Sequence, residues 1–400
     1  MHTKDFSWQY SLTATILLLS PFNILPSLAM DMYLPVMPFI ADALGAGAGT
    51  IQLTLTIYMI LFGVGQLLFG PLSDRFGRRP VLLSGGVVYT LASFGLAITS
   101  SPEIFLGFRI IQACGASACL VAMFAAVRDI YSGCKEINVI YGLLGSMLAM
   151  VPAIAPLFGT LVDVWLGWRA IFVLLGIAMA ATVIVYGIFC PETRQQRTAA
   201  LKWSQLLLPV KSMNFWLYTF CYSAGLGSFF VFFSTAPWVM MNRQGLSQTT
   251  FSLLFATVAI AMMVAARNVG NLIVRWGLLN TLRMGMFCLI AGALLLSAGE
   301  TFIPNSVFGF IIPMWLVGVG VAIAITVAPN GALQGFDHMA GTVTAFYSCL
   351  GGVLLGIGGT LTITLFSNTT TWPIIVYCLV LAIGVLCFSY INSRQSEQRY

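Results

Sequence analysis

Apolar residues run in long blocks along this chain, and short polar breaks separate them. Crossing ~30 Å of hydrocarbon takes about 20 apolar residues as a helix. Read by hydropathy, the chain holds twelve such blocks, at 11–36, 48–70, 80–98, 103–126, 137–162, 168–190, 213–237, 248–270, 281–299, 304–328, 340–366 and 371–392. None shows the ~10-residue alternation of a membrane β-barrel strand. The pattern predicts an all-α integral membrane protein with twelve spans.

The longest polar break separates six spans from six. It holds "PETRQQRTAALKWSQLLLPVKS". We expect an N-terminal half at 1–192, a cytoplasmic linker at 193–212 and a C-terminal half at 213–400. The halves echo each other. "GPLSDRFGRRP" follows the second span and "GNLIVRWGLLN" follows the eighth, so Gly70, Arg75 and Gly77 recur as Gly270, Arg275 and Gly277. "GFRII" in the fourth span returns as "GFIIP" in the tenth, with Ile311 where Arg109 stands. Internal duplication of this kind marks secondary transporters, whose site is expected near the membrane midplane.

Composition agrees with this class. Only 8% of residues are charged, against about 25% in soluble domains. The net charge of +6 suggests no nucleic-acid partner, because the bases follow topology instead of one surface. With the N-terminus inside, Lys4, Arg75, Arg78, Arg79, Arg128, Lys135, Arg194, Arg197, Lys202, Lys211, Arg267, Arg275, Arg283, Arg394 and Arg399 fall on the cytoplasmic side, while Arg169 and Arg243 fall outside. This bias predicts that both termini are cytoplasmic. The first apolar run is too long for a cleaved signal peptide. All nine cysteines fall in spans or near the inner side, so no disulfide is expected. His2 and His338 have no partners at ligand spacing, so neither a metal nor a cofactor is expected.

The polar residues inside the spans carry the candidate chemistry. Asp31 is the one carboxylate placed within a span, where a charge costs ~2.5–3.5 kcal/mol on insertion scales. Asn23, Ser27 and Asp31 recur every four residues and share one helical face. Arg109, with Gln112 on its face, cannot deprotonate and must find an anion, a polar ligand or water. Both a structural role, bonding carbonyls of the first span, and a transport role are open to it.

In "GPLSDRFGRRP", Gly70 is expected to end the second helix and Asp74 to cap the third. Arg75, Arg78 and Arg79 are expected to meet the anionic leaflet. The loop, with Gly77, reads as a conformational latch. Pro152, Pro156 and Gly159 in the fifth span read either as a hinge for alternating access or as a packing kink. Tyr58, Phe230 and Tyr347 are aromatic candidates for a pocket wall. A membrane enzyme would need a nucleophile with a base, or a metal cluster, and is disfavoured because the spans hold no histidine and one carboxylate; a channel lacks its ring of charges. A proton-coupled uptake symporter remains the alternative to an exporter.

These motifs carry a resemblance. "GPLSDRFGRRPVLL" resembles the loop signature of the major facilitator superfamily. "LGFRIIQACGASA" resembles the fourth-helix motif of its proton-coupled members, with Arg109 at the motif arginine. "AIAPLFGTLV" resembles the fifth-helix motif of the twelve-helix drug:proton antiporters, with Ala155 where glycine is usual. "MDMYLPVMP", "GWRAIF" and "PET" fit the bicyclomycin/chloramphenicol-resistance branch. "NFWLYTFCYSAGLGSFFVFFSTAP" and "APNGALQGFDHMAGTVTAFY" are similar to its chloramphenicol/florfenicol exporters.

The resemblance implies a major facilitator fold in the bacterial inner membrane. It implies a monomer that exports phenicols (chloramphenicol, florfenicol, thiamphenicol) in exchange for protons, with the drug bound between the halves. Proton coupling would fall to Asp31 and Arg109. Drug contacts would come from Asn23, Ser27, Asp31, Tyr58, Arg109, Gln112, Phe230 and Tyr347. Those exporters usually carry aspartate in a "PFD" context where this chain reads "PFN". An amide mimics only the protonated carboxyl, so Asn23 is expected to be a site held permanently neutral.

Overall fold

The computed structural model describes residues 8–131, 133–134, 136–194, 208–336, 340–366 and 369–397. Twelve helical segments are long and apolar enough to span a membrane. They comprise α1 (Leu12–Asp31) with the short α2 (Met37–Leu44), α3 (Ala48–Phe76), α4 (Arg78–Ile98), α5 (Pro102–Ile130), α6 (Glu136–Leu166) and α7 (Trp168–Phe189). Then follow α8 (Met213–Pro237), α9 (Gln248–Trp276), α10 (Leu278–Phe302), α11 (Val307–Ala332), α12 (Ala340–Leu365) and α13 (Trp372–Glu397).

Local chemistry sets the helix starts. Ser11, Ser101, Ser212, Ser247 and Ser306 each accept a backbone N–H three residues on, and so cap α1, α5, α8, α9 and α11. The first span is not the single helix expected at 11–36. It breaks after Asp31 into a 3₁₀ turn, Leu34–Val36, before α2 resumes. Pro35 and Pro38 have no N–H to give the carbonyls of Asp31 and Leu34, so the α-helical ladder cannot cross this stretch.

The helices sort into two packing units, Met1–Ala46 with Ile57–Ala200, and Gly47–Thr56 with Leu201–Tyr400. Inside the first, α4 packs on α5 and α7, and α1 packs on α5, α6 and α7. Inside the second, α10 packs on α11 and α13, and α8 packs on α11, α12 and α13. The same five pairings recur in the same order, so the duplication read from two short motifs extends to the helix packing.

Small residues make the matching crossings close. A Cβ on Gly115 would lie 2.6 Å from the Gly85 carbonyl oxygen, and one on Gly320 would lie 2.8 Å from that of Gly285. The motif glycines match as well. Gly77 and Gly277 link α3 to α4 and α9 to α10 at φ 109° and 78°, a region that favours glycine. The second helix therefore runs through Gly70 and ends at Gly77, seven residues beyond the expected stop.

Candidate transport site

The α3–α4 junction is built from groups far apart in sequence. Asp74 does not cap α4; it lies in the last turn of α3 and binds Arg78 at 2.5 Å. The α4 cap is Glu192, whose two carboxylate oxygens accept the Arg78 and Arg79 backbone N–H groups at 2.8 and 3.1 Å. A negative group at this end also meets the positive pole of the helix dipole. Arg194 completes the junction by donating Nη1 to the Asp74 and Arg75 carbonyls, the free end of α3.

Arg78 was expected at the lipid surface. It is instead buried, held by Asp74, Asp129 at 2.7 Å and Ser73. Arg79 likewise turns inward and donates Nη2 to the Gly187 carbonyl. Of the three loop arginines, only Arg75 lacks such a partner; it lies over the Phe76 ring. Burial among carboxylates is the reason: a guanidinium out of water needs charged or carbonyl acceptors, and the junction supplies them.

The polar stripe on α1 leads to the centre of the first unit. Asn23 is buried, and its Nδ2 donates to the Leu144 carbonyl on α6 at 3.1 Å. Its Oδ1 is buried without a hydrogen bond. Ser27 is half-buried. Asp31, the last residue of α1, is 5% exposed and belongs to none of the ion pairs among the described residues.

Arg109 is fully buried on α5. Its guanidinium lies 4.6 Å from the Tyr33 ring centre and 4.7 Å from that of Tyr58. Nη1 donates to the Ala29 carbonyl on α1 at 3.1 Å and to Gln112 Oε1 at 2.9 Å. No ion pair joins it to Asp31. Two aromatic faces and two neutral oxygens therefore meet a charge that has no carboxylate.

The chain of contacts continues outward. Gln112 Nε2 donates to Ser93 Oγ, and Ser93 donates to the Tyr89 carbonyl. Tyr89 and Tyr58 donate their hydroxyls to the Leu25 and Pro26 carbonyls of α1, each at 2.9 Å. Three side chains from three helices thus hold carbonyls of α1 between Leu25 and Ala29. Pro26 lies in this stretch, where a missing N–H weakens the ladder. Of the two roles open to Arg109, this geometry is that of a clamp on α1.

Tyr58 and Gln112 are brought onto Arg109, while Asn23 faces α6. Pro156 and Gly159 lie buried on α6, and Pro152 is half-buried there. A Cβ on Gly159 would overlap the Met32 carbonyl, so this glycine admits the end of α1 against α6. Tyr33, Tyr89, Ser93 and Glu192 were not singled out in the sequence. Tyr33 had one visible signal, its place two residues after Asp31 in "MDMYLP".

In the second unit, Phe230 is fully buried on α8 with its ring against Gly359. Tyr347 on α12 packs on Tyr222 with ring centres 4.8 Å apart, and its buried hydroxyl has no hydrogen bond. Ile311, the counterpart of Arg109, is buried and apolar, so the clamp has no second copy. After Pro237, α8 passes into a π-helical turn, Trp238–Arg243, a geometry frequent at functional sites. Arg243 in that turn meets Glu300 with both carboxylate oxygens, at 2.7 and 3.1 Å, and Thr371 donates to the same carboxylate.

Comparison with known proteins agrees with this architecture. The chain is 66% identical to a chloramphenicol resistance protein of Pseudomonas aeruginosa, covering 99% of this chain and 96% of that one. It is 27% identical to multidrug resistance protein D of Escherichia coli K12, over 93% and 94% of the two chains. Among solved structures, the nucleoside transporter NupG superposes with a TM-score of 0.73 at 14% identity, covering 95% of this chain and 99% of that one. A bacterial homologue of the human lysosomal transporter Spinster gives 0.72 at 13% identity, over 97% and 98%. Residues 19–359 match the Major Facilitator Superfamily, and with the duplicated six-helix packing this places the chain in that family of membrane transporters.

Proposed function

We propose that this chain exports chloramphenicol and related phenicols, including florfenicol and thiamphenicol, across the bacterial inner membrane in exchange for protons. The observation that carries the substrate class is the 66% identity, over nearly the whole chain, to a protein named for chloramphenicol resistance. The exporter works by alternating access of its halves, 1–192 and 213–400, as a monomer with both termini in the cytoplasm.

The chemistry of the first unit fits a neutral drug. Phenicols carry hydroxyl and amide groups and no charge, so they need hydrogen-bond partners and apolar walls. Asn23 Oδ1 is a buried acceptor without a donor, which a drug hydroxyl would satisfy. Ser27 lies one turn along the same helix and Gln112 lies beside Arg109. Tyr58 supplies aromatic surface in this unit; Phe230 and Tyr347 lie in the second unit and are proposed as drug contacts on the sequence resemblance alone. Asp31 carries the proton, since the amide at Asn23 has none to exchange. Arg109 contributes by fixing the α1 backbone two residues from Asp31. Gly70, Asp74, Arg75, Gly77, Arg78, Pro152, Pro156 and Gly159 belong to the conformational cycle and not to the drug site.

The test is chloramphenicol uptake into everted membrane vesicles with an imposed pH gradient. We expect driven uptake by the chain with Asn23, and its loss in Asp31→Asn. Driven uptake that survives Asp31→Asn removes Asp31 from coupling. Uptake that appears only after Asn23→Asp makes residue 23 the proton carrier. No drug response in any of the three refutes the phenicol assignment.

A further inference from the structure

We propose that the second unit holds a binding site for an anionic phospholipid, in a groove of about 530 Å³ formed by Trp276, Arg283, Phe287, Leu316 and Tyr390. The proposal concerns a bound lipid and does not depend on which drug is carried.

The groove joins two chemistries at one level of the bundle. Its walls are apolar and open outward: Trp276 is 46% exposed, Phe287 53% and Tyr390 49%. Beyond Phe287 the exposed face of α10 continues with Leu294 and Leu295, so the groove opens where acyl chains run. Arg283 stands at its polar end as the sixth residue of α10. By topology this is the end of the second unit where Arg275 and Lys211 also lie, because α9 ends and α8 and α10 begin there.

The guanidinium is held in place by neutral groups among the described residues. Nε donates to Ser389 Oγ at 3.1 Å, and Nη2 donates to the Ser389 carbonyl and to Ser393 Oγ at 3.2 and 2.7 Å. The Tyr390 ring lies beneath it at 4.2 Å. None of the ion pairs among the described residues includes Arg283, and Nη1 takes part in none of these bonds. Among the described residues this fixed cation has an unused donor edge and no carboxylate partner, an arrangement that suits a phosphodiester, which accepts from guanidinium in a planar fork. Trp276 and Tyr390 are the amphipathic rings that settle at headgroup level, and Phe287 and Leu316 continue the wall toward the acyl region. Basic pockets between spanning helices bind anionic headgroups on these terms. A soluble anion would use only the arginine and leave the apolar walls unfilled.

The full chain, purified in detergent and resolved by native mass spectrometry, is titrated with phosphatidylglycerol or phosphatidylethanolamine. We expect retention of phosphatidylglycerol at concentrations at least tenfold below those needed for phosphatidylethanolamine. Arg283→Gln should remove that preference and Arg283→Lys should keep most of it. Equal retention of the two lipids, or an unchanged preference in Arg283→Gln, overturns the proposal. Competition by inorganic phosphate or by the chain-free glycerophosphoglycerol headgroup at similar concentrations assigns a plain anion site and also overturns it. A second measurement needs no variant: a photoreactive phosphatidylglycerol, incorporated into membranes holding the unaltered chain, should label peptides containing Trp276 to Phe287 and Tyr390. Labelling confined to other helices refutes the site.

Discussion

Replacing Arg109 by lysine keeps the charge and removes the shape. In the native chain the guanidinium meets two ring faces, Tyr33 and Tyr58, and Nη1 alone bonds both Ala29 O and Gln112 Oε1. A lysine ammonium is a compact point on a shorter stem; it can lie over one ring and reach one of the two oxygens. The loss is then one cation–π contact, ~0.5–2 kcal/mol when desolvated, and one hydrogen bond to a charged group, ~1.5–3 kcal/mol. The burial cost adds to this loss, because an ammonium is more strongly hydrated than a guanidinium. The sum of the two contacts, about 2–5 kcal/mol, exceeds the 1.4 kcal/mol that makes a tenfold change in an equilibrium. We expect Arg109→Lys to lower gradient-driven chloramphenicol uptake in everted vesicles at least tenfold, and to lower the unfolding temperature of the purified protein. Arg109→Met should abolish uptake with a smaller stability loss, because removing a buried charge offsets the lost bonds. If Arg109→Lys transports and unfolds like the parent, the residue is needed only for its charge and the clamp on α1 is refuted.

Three further outcomes follow from named contacts. Tyr58→Phe keeps the ring beside Arg109 and removes only the bond to Pro26 O, so it should cost ~0.5–1.5 kcal/mol in thermal unfolding, with Tyr58→Leu clearly worse. Glu192→Gln leaves one oxygen for three backbone N–H donors, those of Arg78, Arg79 and Arg194, and weakens the α4 cap, for an expected loss of ~1–2 kcal/mol; an unchanged unfolding temperature removes Glu192 as the cap. Glu300→Ala leaves the half-buried Arg243 with only the Thr369 and Pro304 carbonyls as acceptors, for an expected loss of ~1.5–3 kcal/mol, read as less folded protein in the membrane and rescued by the double variant with Arg243→Met.

Much of this fold was legible because a bilayer leaves few options. Spans must be long, apolar and helical, so the twelve segments and the repeat could be read directly. The break after Asp31 was written in Pro35 and Pro38, yet hydropathy averages over single residues and hid it. The cap on α4 was harder. Glu192 lies 114 residues from Arg78, and "PET" offers no local sign of its partner. The contacts around Arg109 were half visible. Its charge demanded partners, but a tyrosine against an arginine and a tyrosine facing lipid look alike in sequence, so the contacts of Tyr58 and Tyr33 with Arg109 were not legible there. The partner of Asn23 was beyond reach, because the Leu144 carbonyl would be present whatever side chain stood there.

The arrangement of charges bears on how drug and proton exert opposite effects. Had Arg109 paired with Asp31, a proton would break an ion pair and act on α5 as much as on α1. Instead Arg109 directs Nη1 to Ala29 O and Gln112 while its Nε and Nη2 stay unbonded, and Asp31 has no cationic partner among the described residues. In the proposed mechanism both ligands therefore act through α1. The drug engages Asn23, whose amide already bonds Leu144 O on α6; the proton engages Asp31, where the helix ends. A ligand shifts a conformational equilibrium only by its differential affinity for the two states. In that mechanism the two states would differ in which carbonyls between Leu25 and Ala29 stay held; in this structure Tyr89, Tyr58 and Arg109 hold three of them. Drug and proton then compete without sharing a binding group, because each favours a different geometry of the same clamped, proline-weakened helix. A permanently neutral Asn23 is compatible with exchange on these terms, since coupling resides in the helix and not in a single carboxylate that both ligands must occupy.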